Sequence, residues 1–302
     1  MTESKLASAI RNGEFVVTAE LGPPKSADAN SVREKAKRLV GSVHAANVTD
    51  NQTAVARMSP MASAVFMLET GLEPVMQIVC RDRNRLALQS DLLGGWALGV
   101  RNVMILGGDP PKVGNHPDAK PVFDLDTVAL MSVARDMRDK HAFQNGEEIK
   151  GEAPAFFVGG AESPFGDQSK GDRLGAKVDA GANFVQTQPV FDPTAFAEWM
   201  GWIREKGLVE RCAIIAGITP PKSLKMAENL RNIPGMQLPD SVFERLEKAG
   251  ETGARDEGIR IAVEMIHAVR EIPGVAGVHV MAILQEDAVP EIVEAAGITP
   301  KG

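Results

Sequence analysis

The chain has 302 residues, 44% of them hydrophobic and 24% charged, with a formal net charge of −7. That length suits one large α/β barrel or two domains, and the composition is that of an ordinary globular protein. The acidic balance argues against a nucleic-acid-binding surface and against anchoring to anionic membrane.

Phe15 to Glu20 is a β-rich run that stops at Gly22-Pro23-Pro24, which puts Glu20 at its C-terminal end. Asn30 or Ser31 can cap a helix with Val32, Ala36 and Leu39 on one side. A second strand, Ala45 to Val48, runs into Thr49-Asp50-Asn51. Ser59-Pro60 opens a helix that Gly71 ends. Pro74 to Val79 is the third strand, Arg85 to about Leu98 a helix, and Asn102 to Leu106 the fourth strand. Gly107-Gly108 breaks that strand and Asp109 follows at once. Two glycines there let backbone approach a flat or phosphorylated ligand, although a plain strand-to-helix turn explains them equally well.

Asp126 to Lys140 reads as helix, with Leu130, Val133 and Met137 on one face, and His141 to Glu152 as a surface loop. Ala155 to Val158 is strand five, ending in Gly159-Gly160-Ala161. Asp172 to Ala180 is helix, and Asn183 to Thr187 is strand six, with Gln188 at its end. Pro193 to Lys206 is a helix whose Phe196, Trp199 and Trp202 suit packing. Cys212 to Ile218 is strand seven. Extra helical segments fill Ser223 to Arg270, then come a last strand, Gly277 to Ile283, and a last helix, Val289 to Ala296.

Eight strands alternating with helices predict parallel pairing, and eight such units in one chain of this length predict a single-domain (β/α)8 TIM barrel over 1–302. A doubly wound open sheet is the alternative, but no G-x-G-x-x-G follows the first strand. In a barrel the C-terminal strand ends share one mouth. Here those ends are Glu20, Thr49, Gln77, Asp109, Gly160, Gln188, Thr219 and Gln285. Amides, glycine backbone and two carboxylates can hold a polar heterocycle and move one proton. Singly, each residue has a structural reading: Glu20 as a helix cap or lysine partner, Asp109 as an N-cap, Gln188 as a loop ligand. No apolar run approaches the roughly 20 residues that span a bilayer, and Met1 to Asn12 lacks a signal-peptide core, so a cytoplasmic location is expected. Cys80 and Cys212 are far apart and the five histidines show no ligand spacing, so no metal site is expected.

Thr18 to Pro24, Asn47 to Asn51, Gln77 to Asn84, Leu106 to Asp109 and Lys177 to Gln188 carry a likeness in a fixed order. On those stretches the chain resembles the methylenetetrahydrofolate reductases. The resemblance implies FAD at the barrel mouth, hydride from NADH or NADPH, and folate as the second substrate in a ping-pong cycle of one-carbon metabolism. It implies Glu20 as the acid that protonates the folate, Asp109 as the carboxylate that stabilises the iminium, and Gln188 as a contact to both substrates, with Gln285 beside the folate. Thr49, Gln77, Gly108, Asp109, Phe123, Asp124, Gly160, Ala161 and Lys177 fall in segments that hold FAD in that family. The chain departs from the family with Gly107 where many members carry arginine, with Gln77 for histidine, and with no tyrosine at all. Those departures resemble a branch in which a partner protein delivers electrons. A homo-oligomer or a folate-binding subunit of a larger complex is the alternative organisation. A barrel passing a methyl group from folate to a corrinoid protein is a third, more distant reading.

Overall fold

In a computed structural model of the chain, residues 3–165, 172–233, 236, 238–282 and 285–300 are described. The strands are β1 (Val16–Leu21), β2 (Ala45–Val48), β3 (Pro74–Val79), β4 (Asn102–Leu106), β5 (Phe157–Glu162), β6 (Phe184–Pro189), β7 (Ala213–Ile218) and β8 (Val275–Val280). They pair in sequence order, all parallel, and β8 closes on β1 to make an eight-stranded barrel. The helices are α1 (Lys5–Arg11), α2 (Ala29–Leu39), α3 (Pro60–Leu68), α4 (Arg85–Ala97), α5 (Thr127–Asp139), α6 (Asp172–Asp179), α7 (Pro193–Glu205), α8 (Leu224–Arg231), α9 (Asp240–Arg270) and α10 (Ala288–Ala295). Gly250, at φ 68°, breaks the α9 span into two helical pieces. The main core lies between sheet and helices, and α8 and α9 enclose a smaller cluster around Leu230, Leu246 and Ile261.

Local chemistry explains most boundaries. Ser59 caps α3 by accepting from Ala62 N, with Pro60 in the first turn, and Asn84, Asp126 and Asp192 cap α4, α5 and α7. Four expectations need correction. The cap of α2 is Asp28, accepting from Asn30 N, rather than Asn30 or Ser31. Strand five starts and ends later than expected, so Gly159, Gly160 and Ala161 lie inside β5, where their small size admits close neighbours. Trp202 is 39% exposed, while Phe196 and Trp199 of the same helix are buried. The last strand stops at Val280; Ile283 and Leu284 lie outside the described residues.

The helix α1 went unread because it is short, and its place in the fold explains why it forms. Leu6 and Ala9 pack inside the barrel against Val16, Val75, Met104 and Phe184, closing its N-terminal end. Glu73, just before β3, holds the start of that helix. Its carboxylate accepts from Lys5 N at 2.7 Å, Leu6 N at 3.0 Å, Ser4 Oγ at 2.9 Å and Asn102 Nδ2 at 2.8 Å. A carboxylate at a helix N-terminus also meets the positive end of the helix dipole. Glu73→Ala removes the acceptor of the Lys5 and Leu6 amides, while Ser4 Oγ keeps Asn102 Oδ1 at 2.6 Å and Asn102 Nδ2 keeps the Pro74 carbonyl at 3.2 Å, and the expected cost is about 3 kcal/mol. Urea unfolding of the variant measures it; an unchanged midpoint would show that α1 does not depend on this anchor.

Candidate active site

A cavity of about 420 Å³ opens at the C-terminal ends of the strands. It reaches down between them because the upper interior of the barrel is polar. Asn47 Nδ2 donates to Gln186 Oε1 at 2.5 Å, and Gln186 Nε2 returns a bond to Asn47 Oδ1 at 3.1 Å. Gln186 Nε2 also donates to Thr18 Oγ1 at 3.2 Å, and that hydroxyl lies 3.0 Å from His279 Nδ1. Burial pushes His279 down to about 3, so it is a neutral imidazole at ordinary pH. These groups form a satisfied polar floor, and satisfaction is what lets amides sit inside a barrel without large cost.

Glu20 stands on the wall above that floor. Gln52 Nε2 donates to its Oε1 at 3.2 Å. Burial raises its carboxyl from the usual 4.5 to about 7; the bond from Gln52 opposes the shift and the nearby charge of Glu286 adds to it. Such a group is a proton donor matched to neutral solution. Opposite, Asp109 is exposed at the rim, its backbone carbonyl accepting from Arg81 Nη1 at 3.0 Å. Arg81 is held on the other side by Asp82 at 2.7 Å, which fixes its guanidinium against the β3 and β4 loops. Gly108 is left-handed at φ 92°, and a Cβ there would meet Val79 and Arg81 Cβ atoms at 3.1 Å. Gln188 reaches the cavity through an irregularity in β6. The register shifts between Gln186 and Pro189, and Thr187 Oγ1 accepts from Gly217 N at 3.0 Å.

Glu20, Thr49, Gln77, Gly108, Asp109, Ala161 and Gln188 line this cavity. The other expected residues do not. Gly160 faces outward, where a Cβ would meet Met131 Cε at 2.5 Å, because strand alternation sends only Ala161 inward. Phe123 is 46% exposed at φ 42°, and Asp124 is paired with Arg85 at 2.7 Å, which holds its carboxyl down to about 2. Lys177 is buried and bonds Glu162 at 2.8 Å and the Ala161 carbonyl. Thr219 and Gln285 are buried behind the rim, with Gln285 Nε2 on the Pro220 carbonyl at 3.1 Å. Asn47, Gln52, Arg81, Gln186 and His279 were missed. Thr18, Asn47 and Gln186 each lie two residues before Glu20, Thr49 and Gln188, so the period-two rule was the available signal.

A sequence model described as methylenetetrahydrofolate reductase matches residues 5–297. The chain belongs to that family. Among its relatives, methylenetetrahydrofolate reductase 2 of Schizosaccharomyces pombe is 25% identical over 75% of this chain and 36% of its own length. The 5,10-methylenetetrahydrofolate reductase of Pectobacterium carotovorum is 26% identical over 76% of this chain and 72% of its own. The chain thus covers 35–38% of the length of the yeast and nematode relatives and about three-quarters of the bacterial one. A Clostridium thermocellum protein, described as binding two copies of 5-methyl-5,6,7,8-tetrahydrofolic acid, shares the fold at TM-score 0.66 and 14% identity. That match covers 98% of this chain and 99% of the other. Among the described residues no group of three His, Cys, Asp or Glu could hold a metal, and no helix could cross a membrane.

The Glu20 carboxyl gives a pH test. Its proton is held more tightly in the fold than in the unfolded chain, so stability is full below about 4.5 and falls as pH rises through about 7. Glu20→Gln removes that loss. Relative to wild type it should gain about 2 to 3 kcal/mol between pH 5 and pH 8. Unfolding midpoints at the two pH values check this, and parallel pH profiles would refute the raised carboxyl.

Proposed function

We propose that the chain reduces 5,10-methylenetetrahydrofolate to 5-methyltetrahydrofolate with FAD as the redox cofactor. The observation that carries the reading is a carboxyl group poised near neutrality on the wall of the barrel-mouth cavity, in a chain of this family. The mouth suits a flat heterocycle. Thr49 Oγ1 is buried without a hydrogen-bond partner among the described residues, and Gln77 lines the same wall. Thr49, Gln77, Gly108 and Ala161 would hold the flavin ring. When bound, FAD supplies hydride transfer between a reduced donor, NADH or NADPH, and the one-carbon unit.

The remaining steps fall to the chain. Glu20 donates its proton to the folate nitrogen as the five-membered ring opens, a role that needs a neutral carboxyl at working pH. Asp109 places negative charge at the rim, where it stabilises the cationic iminium of the substrate. The exposed Gln188 amide offers a donor and an acceptor to whichever substrate occupies the mouth. The polar floor keeps the pocket walls fixed.

A second reading keeps folate binding but takes electrons from a partner protein. It is favoured by Gly107, which lines the mouth where many members of the family carry arginine. Anaerobic addition of methyltetrahydrofolate to the FAD-loaded protein separates the two proposals from their failure. Bleaching of the flavin supports the folate half-reaction, and bleaching without NAD(P)H oxidation favours the partner. A protein that takes up no FAD removes the flavoenzyme reading. Glu20→Gln should keep the flavin and lose at least about a hundredfold in folate turnover; stopped-flow reoxidation by methylenetetrahydrofolate measures it.

A further inference from the structure

Beside the mouth lies a second cavity of about 290 Å³, walled by Glu20, Gly22, Lys35, Gln52, Thr53, Arg57, Ala282 and Glu286. It shares Glu20 and its partner Gln52 with the first, so the proton donor stands between the two. We propose that this side cavity is a carboxylate subsite, with Arg57 as the group that takes the glutamate end of the folate. The inference rests on the folate reading above.

Three features lead there. Lys35, the other cation lining this cavity, is neutralised by Glu286 at 2.8 Å and also donates to the Gly22 carbonyl at 3.2 Å. Arg57 has no carboxylate within ion-pair distance among the described residues. Its Nη1 donates to the Pro23 carbonyl at 3.0 Å, while its Nε is buried without a partner among the described residues. A half-buried guanidinium with donors to spare is costly unless something anionic completes it. The segment that carries it is also fixed in place. Arg57 N donates to Asn51 Oδ1 at 3.1 Å, and Met58 N to the Pro24 carbonyl at 3.0 Å. A fork held in position loses little entropy on binding a carboxylate.

The position follows the order of groups in the substrate. The nitrogen released when the five-membered ring opens joins the one-carbon unit to the aminobenzoyl ring, and the glutamate follows that ring. An acid that protonates this nitrogen must lie where pterin and aminobenzoyl meet. Glu20 is at such a junction: the larger cavity lies on one side and the Arg57 cavity on the other. A carboxylate bound at Arg57 adds negative charge to the cavity that Glu20 borders, so it favours the protonated form of the acid.

The test compares 5-methyltetrahydrofolate with 5-methyltetrahydropteroate capped as its N-methylamide, which has the same rings and no carboxylate, by calorimetric titration of wild type, Arg57→Gln and Arg57→Lys. Wild type should bind the folate about tenfold tighter than the pteroate. Arg57→Gln should remove that preference and leave pteroate affinity within about twofold, while Arg57→Lys restores part of it. Equal weakening of both ligands in Arg57→Gln would show that the arginine only shapes the loop, and overturns the subsite. Wild type that binds the pteroate as tightly as the folate overturns the subsite and spares the folate reading. Wild type that binds neither overturns both.

Discussion

Closure of the sheet between β1 and β8 is the constraint on which the rest of the molecule depends. Eight parallel strands make a barrel only if the last meets the first, and here Val16 pairs with Gly277 in that seam. A Cβ at Gly277 would lie 2.1 Å from the Val16 carbonyl oxygen, so the seam needs a residue without one. A similar restriction holds between β6 and β7, where a Cβ on Gly217 would come 2.3 Å from the Thr187 carbonyl. With the seam closed the described strands have no free edge, and all strand C-termini open on one face.

The barrel interior then divides along its axis. At the N-terminal end it is apolar and stoppered by α1, whose first turn is held by Glu73. Toward the mouth it turns polar, with Thr18, Asn47, Gln186 and His279 bonded to one another. That division puts a hydrogen-bonded floor beneath the wall that carries Glu20. Glu20 is the residue in which the arrangement shows its chemical effect. The same burial that would be a stability defect for an ionised carboxylate keeps the group protonated near neutrality, where a proton donor is useful. Cost to the fold and value to the proposed reaction come from one desolvation.

Much of this was legible in the order of residues. Strand and helix alternation, the caps at Ser59 and Asp126 and the break at Gly107-Gly108 are local signals, and the barrel follows from their count. The strand ends carrying Glu20, Thr49, Gln77, Asp109 and Gln188 were also legible, because turn residues mark where a strand stops. Gly160 was misread because small residues inside β5 resemble a turn. The polar floor was missed for a different reason. Asn47 and Gln186 look like misplaced surface residues until the partner that satisfies each is known, and that partner is 139 positions away.

The sequence by itself determined the class of architecture, the side of the sheet on which the site forms, and the family to which the chain belongs. All of these rest on periodicity and on short stretches whose meaning does not depend on distant residues. Only the tertiary structure decided which charges are already spent and which are not. It gave Lys177 to Glu162 and Lys35 to Glu286, and left Arg57 without a carboxylate among the described residues. It also set Glu20 between two cavities and raised its carboxyl to about 7. Electrostatics depends on distance and burial in space, and chain order carries neither.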